Sequence, residues 1–237
     1  MPVTISPEVE RVFSQLLWIE HRRARIVESV SAHFGQAKLK AILENEKLLP
    51  APLENAPDFS QLLDEKDPDQ FLCSLAMRVE RHDAETIHAL RKHVSVYQQH
   101  ADEQILFGAR TSGQEAGRSF LAGSKPATKG RQTLSVPEAV QALFTLTYNG
   151  LPGEQNHFLV IRPQGGSTVH YTKSPHLEAW TAAGADPKFL YNMKCEWLYG
   201  ALDILCPEAG FVTSHAIEKG NAYGLAHFFH KGLHAGL

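Results

Sequence analysis

Asp186-Pro-Lys-Phe-Leu190-Tyr-Asn-Met-Lys-Cys195-Glu-Trp-Leu-Tyr-Gly200-Ala-Leu-Asp-Ile-Leu205-Cys-Pro207 decides the fold, because it is a long helix set between two strand pairs. Asp186-Pro187 opens it and Cys206-Pro207 closes it. One apolar line runs Tyr191, Cys195, Leu198, Leu202, Leu205, and a second runs Leu190, Met193, Trp197, Ala201, Ile204. Two adjacent lines make a face wide enough to bury against a sheet and a further element. A narrower polar line, Asn192, Glu196, Tyr199 and Asp203, remains. It reads either as a solvated face or as Glu196 and Asp203 projecting into a cavity beside Tyr199.

On the N-terminal side of this helix, His157-Phe-Leu-Val-Ile-Arg162 and Ser167-Thr-Val-His-Tyr-Thr172 read as a hairpin turned at Gly165-Gly166. On the C-terminal side, Gly210 to Ile217 and Tyr223 to Phe229 read as a second hairpin turned at Lys219-Gly220-Asn221. Antiparallel pairs with helices beside them define an α+β class, with a four-stranded antiparallel sheet packed against helices.

Everything upstream is helical in pattern. Ser6-Pro7-Glu8 opens a helix whose apolar positions include Val9, Val12, Phe13, Leu16, Leu17, Ala24, Val27 and Val30. Gly35 interrupts it, and Lys38 to Leu48 is a second short helix. Pro50, Pro52, Pro57 and Pro68 mark an ordered loop or linker. Helix returns at Asp69 and runs, with breaks, to about Leu121; Gly123 to Thr133 is a loop; Ser135-Val136-Pro137-Glu138 starts another helix that ends near Asn149-Gly150. Ala109, Gly113 and Gly117 form a stripe of small residues, predicting close approach of another helix within the chain or across a dimer. The expected division is a helical region over 1–100 and an α+β ligand-binding-like domain over 101–237.

The 237 residues are 43% apolar and 21% charged, with 23 basic against 26 acidic side chains. This excludes global disorder and does not suggest a nucleic-acid glove or a polybasic anchor. No apolar run approaches the roughly 18–20 residues that span a bilayer. Met1-Pro-Val-Thr-Ile-Ser-Pro7 lacks the features of a signal peptide. Three cysteines without a CxxC pair fit reduced thiols, so the expected setting is cytoplasmic. Cys195 and Cys206 lie eleven residues apart on one helix, about 16 Å, and cannot bridge. Cys195 therefore reads as a buried small apolar residue or, alternatively, as a catalytic thiolate.

Chemical motifs are sparse. The thirteen histidines form no HExxH and no Cys/His cluster. His82, His88, His93 and His100 read as residues of solvated helix, and the His230/His234 pair brackets Gly232 in the tail. GxSxG, Walker A and a GxGxxG after a strand are all missing. No metal, cofactor or catalytic residue is assigned. A ligand is expected between sheet and helices. Tyr171, His176, Trp197, Tyr199 and His227 are the candidate lining residues, with Cys195 and Glu196 beside them. Aromatic rings would supply stacking area, and histidine or glutamate would orient a polar group.

Element order and loosely spaced residues carry a family resemblance over about 101–232. They are Gly108, Gly113 and Gly117; Ser135-Val136-Pro137-Glu138; Tyr171-Thr172-Lys173-Ser174-Pro175; Cys195-Glu196-Trp197-Leu198-Tyr199-Gly200; and Gly220 before an apolar closing strand. This stretch resembles the small-molecule-binding domain of vinyl-reductase-type bacterial proteins, in the nitric-oxide signalling and Golgi transport superfamily. The resemblance implies a cytoplasmic small-molecule-binding or sensory module, a homodimer, taking an aromatic or apolar ligand. Aminothiazoline-carboxylate hydrolase-like proteins share the element order and imply the alternative, a small hydrolase or reductase using Cys195, Glu196 or His227. Trafficking subunits of the superfamily imply a third, a structural interaction subunit. Two departures narrow this. The cysteine that follows the final turn glycine in the family is replaced by Gly224-Leu225-Ala226-His227. The tyrosine-x-serine-x-arginine signature of the related haem sensors is replaced by Tyr171-Thr172-Lys173-Ser174-Pro175-His176, so haem is not implied.

Overall fold

The computed structural model describes residues 5–53, 67–94, 98–123, 133–161, 166–218 and 221–233. Seven α-helices are found there: α1 (Pro7–Phe34), α2 (Gln36–Asn45), α3 (Pro68–His93), α4 (Gln98–Gly123), α5 (Val136–Leu146), α6 (Leu177–Ala182) and α7 (Pro187–Leu205). The strands are β1 (His157–Ile161), β2 (Ser167–Tyr171), β3 (Ala209–Glu218) and β4 (Asn221–His230). Local chemistry sets the helix starts. Ser6 accepts from the Val9 N–H, Asp67 from the Asp69 and Gln70 N–H groups, and Asp186 from the Lys188 N–H, each just before a proline that has no N–H to satisfy. Glu138 closes back on Ser135, accepting from its N–H and its hydroxyl. Gly35, at φ 91°, carries the chain from α1 into α2.

The sheet is antiparallel throughout, in the order β1-β2-β4-β3. The α+β class with a four-stranded sheet packed against helices is therefore what the chain forms. Gly165, Lys219 and Gly220 of the two expected turns, and most of the 49–68 and 123–133 loops, lie outside the described residues. Val169, Phe211, Ala226 and Phe228 are buried on the inner face, against α5 and α7. The expectation that α7 covers one sheet face is thus met only jointly: α5 takes the other half, meeting the sheet and α7 around Val140, Leu143, Val169, Leu198 and Phe228.

The small-residue stripe finds its partner inside the chain. α4 crosses α7 so closely that a Cβ at Gly113 would run into the Trp197 carbonyl oxygen, and one at Gly200 into the Arg110 carbonyl oxygen. The polar line of α7 is a partly solvated face bridged by an ion pair: Asn192 is exposed, while Glu196 and Asp203 are half-buried. Arg110 of α4 reaches across the same crossing to Asp203 at 2.7 Å and Glu196 at 3.4 Å. One buried cluster joins Ile26 and Val30 of α1, Ile87 and Leu90 of α3, Ile105 of α4, Met193 and Leu202 of α7, and Phe228 of β4. Helix α6 went unpredicted, since six residues are too short for a 3.6-residue period to register. His82 also departs from the solvated reading: it is buried, its Nε2 lies 2.9 Å from the Leu48 carbonyl oxygen, and burial pushes the imidazole pKa down.

Candidate functional site

One edge of α7 stays clear of the α4 crossing. Tyr191, Lys194, Cys195 and Leu198 fall on it at helical spacing, opposite the inner ends of the central strands. Strand β2 ends at Tyr171, and the chain then turns through Lys173-Ser174-Pro175 to His176, at the head of α6. Between these walls and Thr213, Ser214 and Tyr223–Ala226 of β3 and β4 lies a small open cleft with a cavity volume of about 70 Å³. Its surface is mainly apolar with a few convergent polar side chains, the chemistry of a small-molecule site.

The inner end of the cleft is a buried relay. Glu80 of α3 is 2% exposed, in the heart of the molecule. Its Oε1 lies 2.8 Å from His176 Nδ1, and its Oε2 accepts from the Trp180 indole N–H at 3.2 Å. His176 Nε2 lies 2.7 Å from Lys194 Nζ, which lines the cleft. The His176 ring is stacked on Trp180 and meets Tyr148 edge-on. Burial works against the Glu80 carboxylate, but His176, Arg22 and Lys194 outweigh it and hold the carboxyl below its usual range. Burial pushes the His176 imidazole down. A neutral ring between these partners donates from Nδ1 to Glu80 and accepts at Nε2 from Lys194. Burial also lowers the Lys194 ammonium to about 8, against the opposing pull of Glu80.

Of the residues expected to line a site, the structure brings Tyr171, His176 and Cys195 together at this cleft. Burial pushes the Tyr171 phenol and the Cys195 thiol up, so neither ionises readily near neutrality, and Cys195 Sγ lies 3.9 Å from Thr213 Oγ1. The other four stand elsewhere. Trp197 is 3% exposed in the α4 crossing, its indole N–H directed at Ser112 Oγ, 3.3 Å away. Glu196 is engaged with Arg110. Tyr199 stacks on Phe211 and donates its hydroxyl to the Phe211 carbonyl at 3.0 Å. His227 lies on the sheet face turned away from the helices, with Nδ1 3.0 Å from Thr168 Oγ1.

Lys194 and Glu80 escaped the sequence reading, though each left a signal. Glu80 and Asp83 interrupt the apolar stripe Leu72, Leu75, Ala76, Val79, Ile87 and Leu90 of α3, and a carboxylate in a core phase needs a buried partner. Lys194 sits between Tyr191 and Leu198 on an otherwise apolar line of α7. Among the described residues no group of three or more His, Cys, Asp or Glu side chains converges as a metal site, and no helix is long and apolar enough to cross a membrane.

Fold and site together define an α+β chain with a small, mainly apolar cleft whose inner end carries a hydrogen-bonded Lys–His–Glu chain. No family model matches the chain, and no curated protein matches it. Among solved structures it is similar to a Cs H-NOX mutant carrying 4-cyano-L-phenylalanine at site 5, at 10% identity over 88% of this chain and 94% of that one. The TM-score is 0.35, too loose a likeness to carry an argument.

Proposed function

We propose that the protein is a small-molecule-binding, sensory module whose ligand occupies the cleft between α7, the turn after β2 and strands β3 and β4. The observation that carries this is the pairing of a mainly apolar wall with a buried polar chain at its inner end, Lys194 backed by His176 and Glu80. Such a site takes a ligand with an aromatic or apolar body and one polar end: the wall supplies contact area and the relay orients the polar group. The vinyl-reductase-type resemblance of residues 101–232 agrees with this reading. A cytoplasmic setting belongs to the proposal and draws on the three free cysteines. A homodimer does too, although the small-residue stripe, spent on the α4–α7 crossing, lends it no support.

A Thr213→Trp variant, whose side chain leaves the inner face of β3 beside Cys195 and narrows the exposed side of the cleft, tests the reading. Native mass spectrometry of the purified protein should show a co-purifying small molecule, or thermal-shift screening should find an aromatic ligand, and the variant should lose it with an unchanged Tm. Binding that survives the substitution would place the ligand elsewhere. A hydrolase or reductase reading has one observation in its favour, the same relay; Glu196 and His227 stand outside the cleft and do not add to it.

A further inference from the structure

The geometry points to Lys194 as a covalent docking point: a cleft ligand carrying an aldehyde or ketone on its apolar body is held there as a reversible imine. This rests on the cleft being the ligand site and names the ligand's reactive group. Four observations support it. Lys194 Nζ lines the cleft, so a bound carbonyl carbon has access to it. Its hydrogen bond goes to a histidine nitrogen, with the carboxylate one step further back, which is the order nucleophile, base, orienting acid. The base is locked: Glu80 accepts from His176 through one oxygen and from Trp180 through the other, and the imidazole is stacked on Trp180. Finally, the walls are apolar and Cys195, the neighbouring thiol, is held protonated by burial, so the amine is the stronger nucleophile of the two near neutrality.

The groups facing Lys194 are Glu80 of α3, Arg22 of α1, His176 ahead of α6, Cys195 of α7 and the Tyr171 ring of β2, whose centroid is 5.9 Å from Nζ. With its pKa lowered to about 8, roughly a quarter of Lys194 is neutral amine at pH 7.5, against about a thousandth for an ordinary lysine. In the step, the Nζ lone pair forms the C–N bond and the carbonyl π pair moves onto oxygen. His176 Nε2 carries the two amine protons to that oxygen in turn, the first making the hydroxyl of the carbinolamine and the second releasing it as water as the C=N bond forms. Atoms and charge balance with no oxidant or reductant.

The test is reductive trapping of the full chain with benzaldehyde and cyanoborohydride at pH 7.5, followed by peptide mapping. Lys194 should be benzylated at least about ten-fold faster than the exposed Lys40 and Lys188, and Lys194→Arg should abolish the fast adduct. His176→Gln should slow trapping by about ten-fold while binding of benzyl alcohol, followed by saturation-transfer NMR, is retained. The wild-type map alone can overturn the inference: Lys194 labelled no faster than Lys40 sinks it, whether or not any variant folds. If benzyl alcohol still occupies the cleft in that case, the covalent step fails and the binding module stands. If neither probe enters, both fail.

Discussion

Gly113→Ala should weaken the molecule at the α4–α7 crossing. A Cβ added at Gly113 would lie 2.9 Å from the Trp197 carbonyl carbon and 3.0 Å from the Ala201 nitrogen, and closer still to the Trp197 oxygen. All three are backbone atoms of α7, so no side-chain rotation relieves the overlap and one helix must move. Alanine recovers about 1 kcal/mol of helix propensity over glycine. Overpacking costs about 1–3 kcal/mol, and a rigid backbone wall puts this site at or beyond the top of that range. The expected net loss is about 2 kcal/mol, or roughly 4–8 °C in Tm for a chain of this size. Urea unfolding followed by far-UV circular dichroism measures it. Gly123→Ala is the control, because a Cβ there meets nothing within 4 Å, and it should be neutral or slightly stabilising. A Gly113→Ala protein as stable as wild type would refute the close-crossing argument.

Two further outcomes concern buried charge. Lys194→Met removes a cation whose folded pKa of about 8 lies below its ordinary 10.5. Between those values the unfolded chain holds a proton that the native state has released, so wild type should gain about 2 kcal/mol relative to the variant as pH rises from 7.5 to 10. A difference that stays flat across that window, measured by urea unfolding, would contradict a depressed Lys194. Arg22→Met breaks the 2.7 Å pair with Asp83, which is 1% exposed, and should cost about 3–5 kcal/mol at pH 7.5. Burial already raises the Asp83 carboxyl, and losing Arg22 raises it further; the native state then binds the proton more tightly than the unfolded chain, so the deficit should shrink as pH falls to 5. An equal deficit at both pH values would show that Asp83 stays ionised without its partner.

All the elements but α6 were legible in the sequence because each announces itself locally. Asp186-Pro187 starts α7 through one side-chain acceptor and one missing N–H, and Ser135 with Glu138 does the same for α5. Alternation along β2 and β4 separates Val169 and Ala226, which face the helices, from His170 and Leu225, which face away. The close approach at Gly113 was legible for a similar reason: three small residues at one helical phase leave room for a neighbouring backbone. What periodicity could not say was which neighbour fills that room. Trp197 and Tyr199 have the composition of ligand-stacking residues, yet the crossing of α4 and the position of β3 assign one to the core and the other to a strand anchor.

The cleft shows the limit most clearly. Tyr171, His176 and Cys195 stand out by residue type, but the relay that gives the site its chemistry joins Glu80, His176 and Lys194 across separations of 96 and 18 residues. A carboxylate in the apolar phase of α3 declares that some buried partner exists; it does not declare which. Hydrogen bonds and desolvation act through space over about 3 Å, whereas sequence periodicity reports only neighbours along one element. Local pattern thus determined the longer helices, the strands and their buried faces, and only the packing of α3, α6 and α7 against one another decided that a glutamate, a histidine and a lysine would form one hydrogen-bonded chain at the end of a cleft.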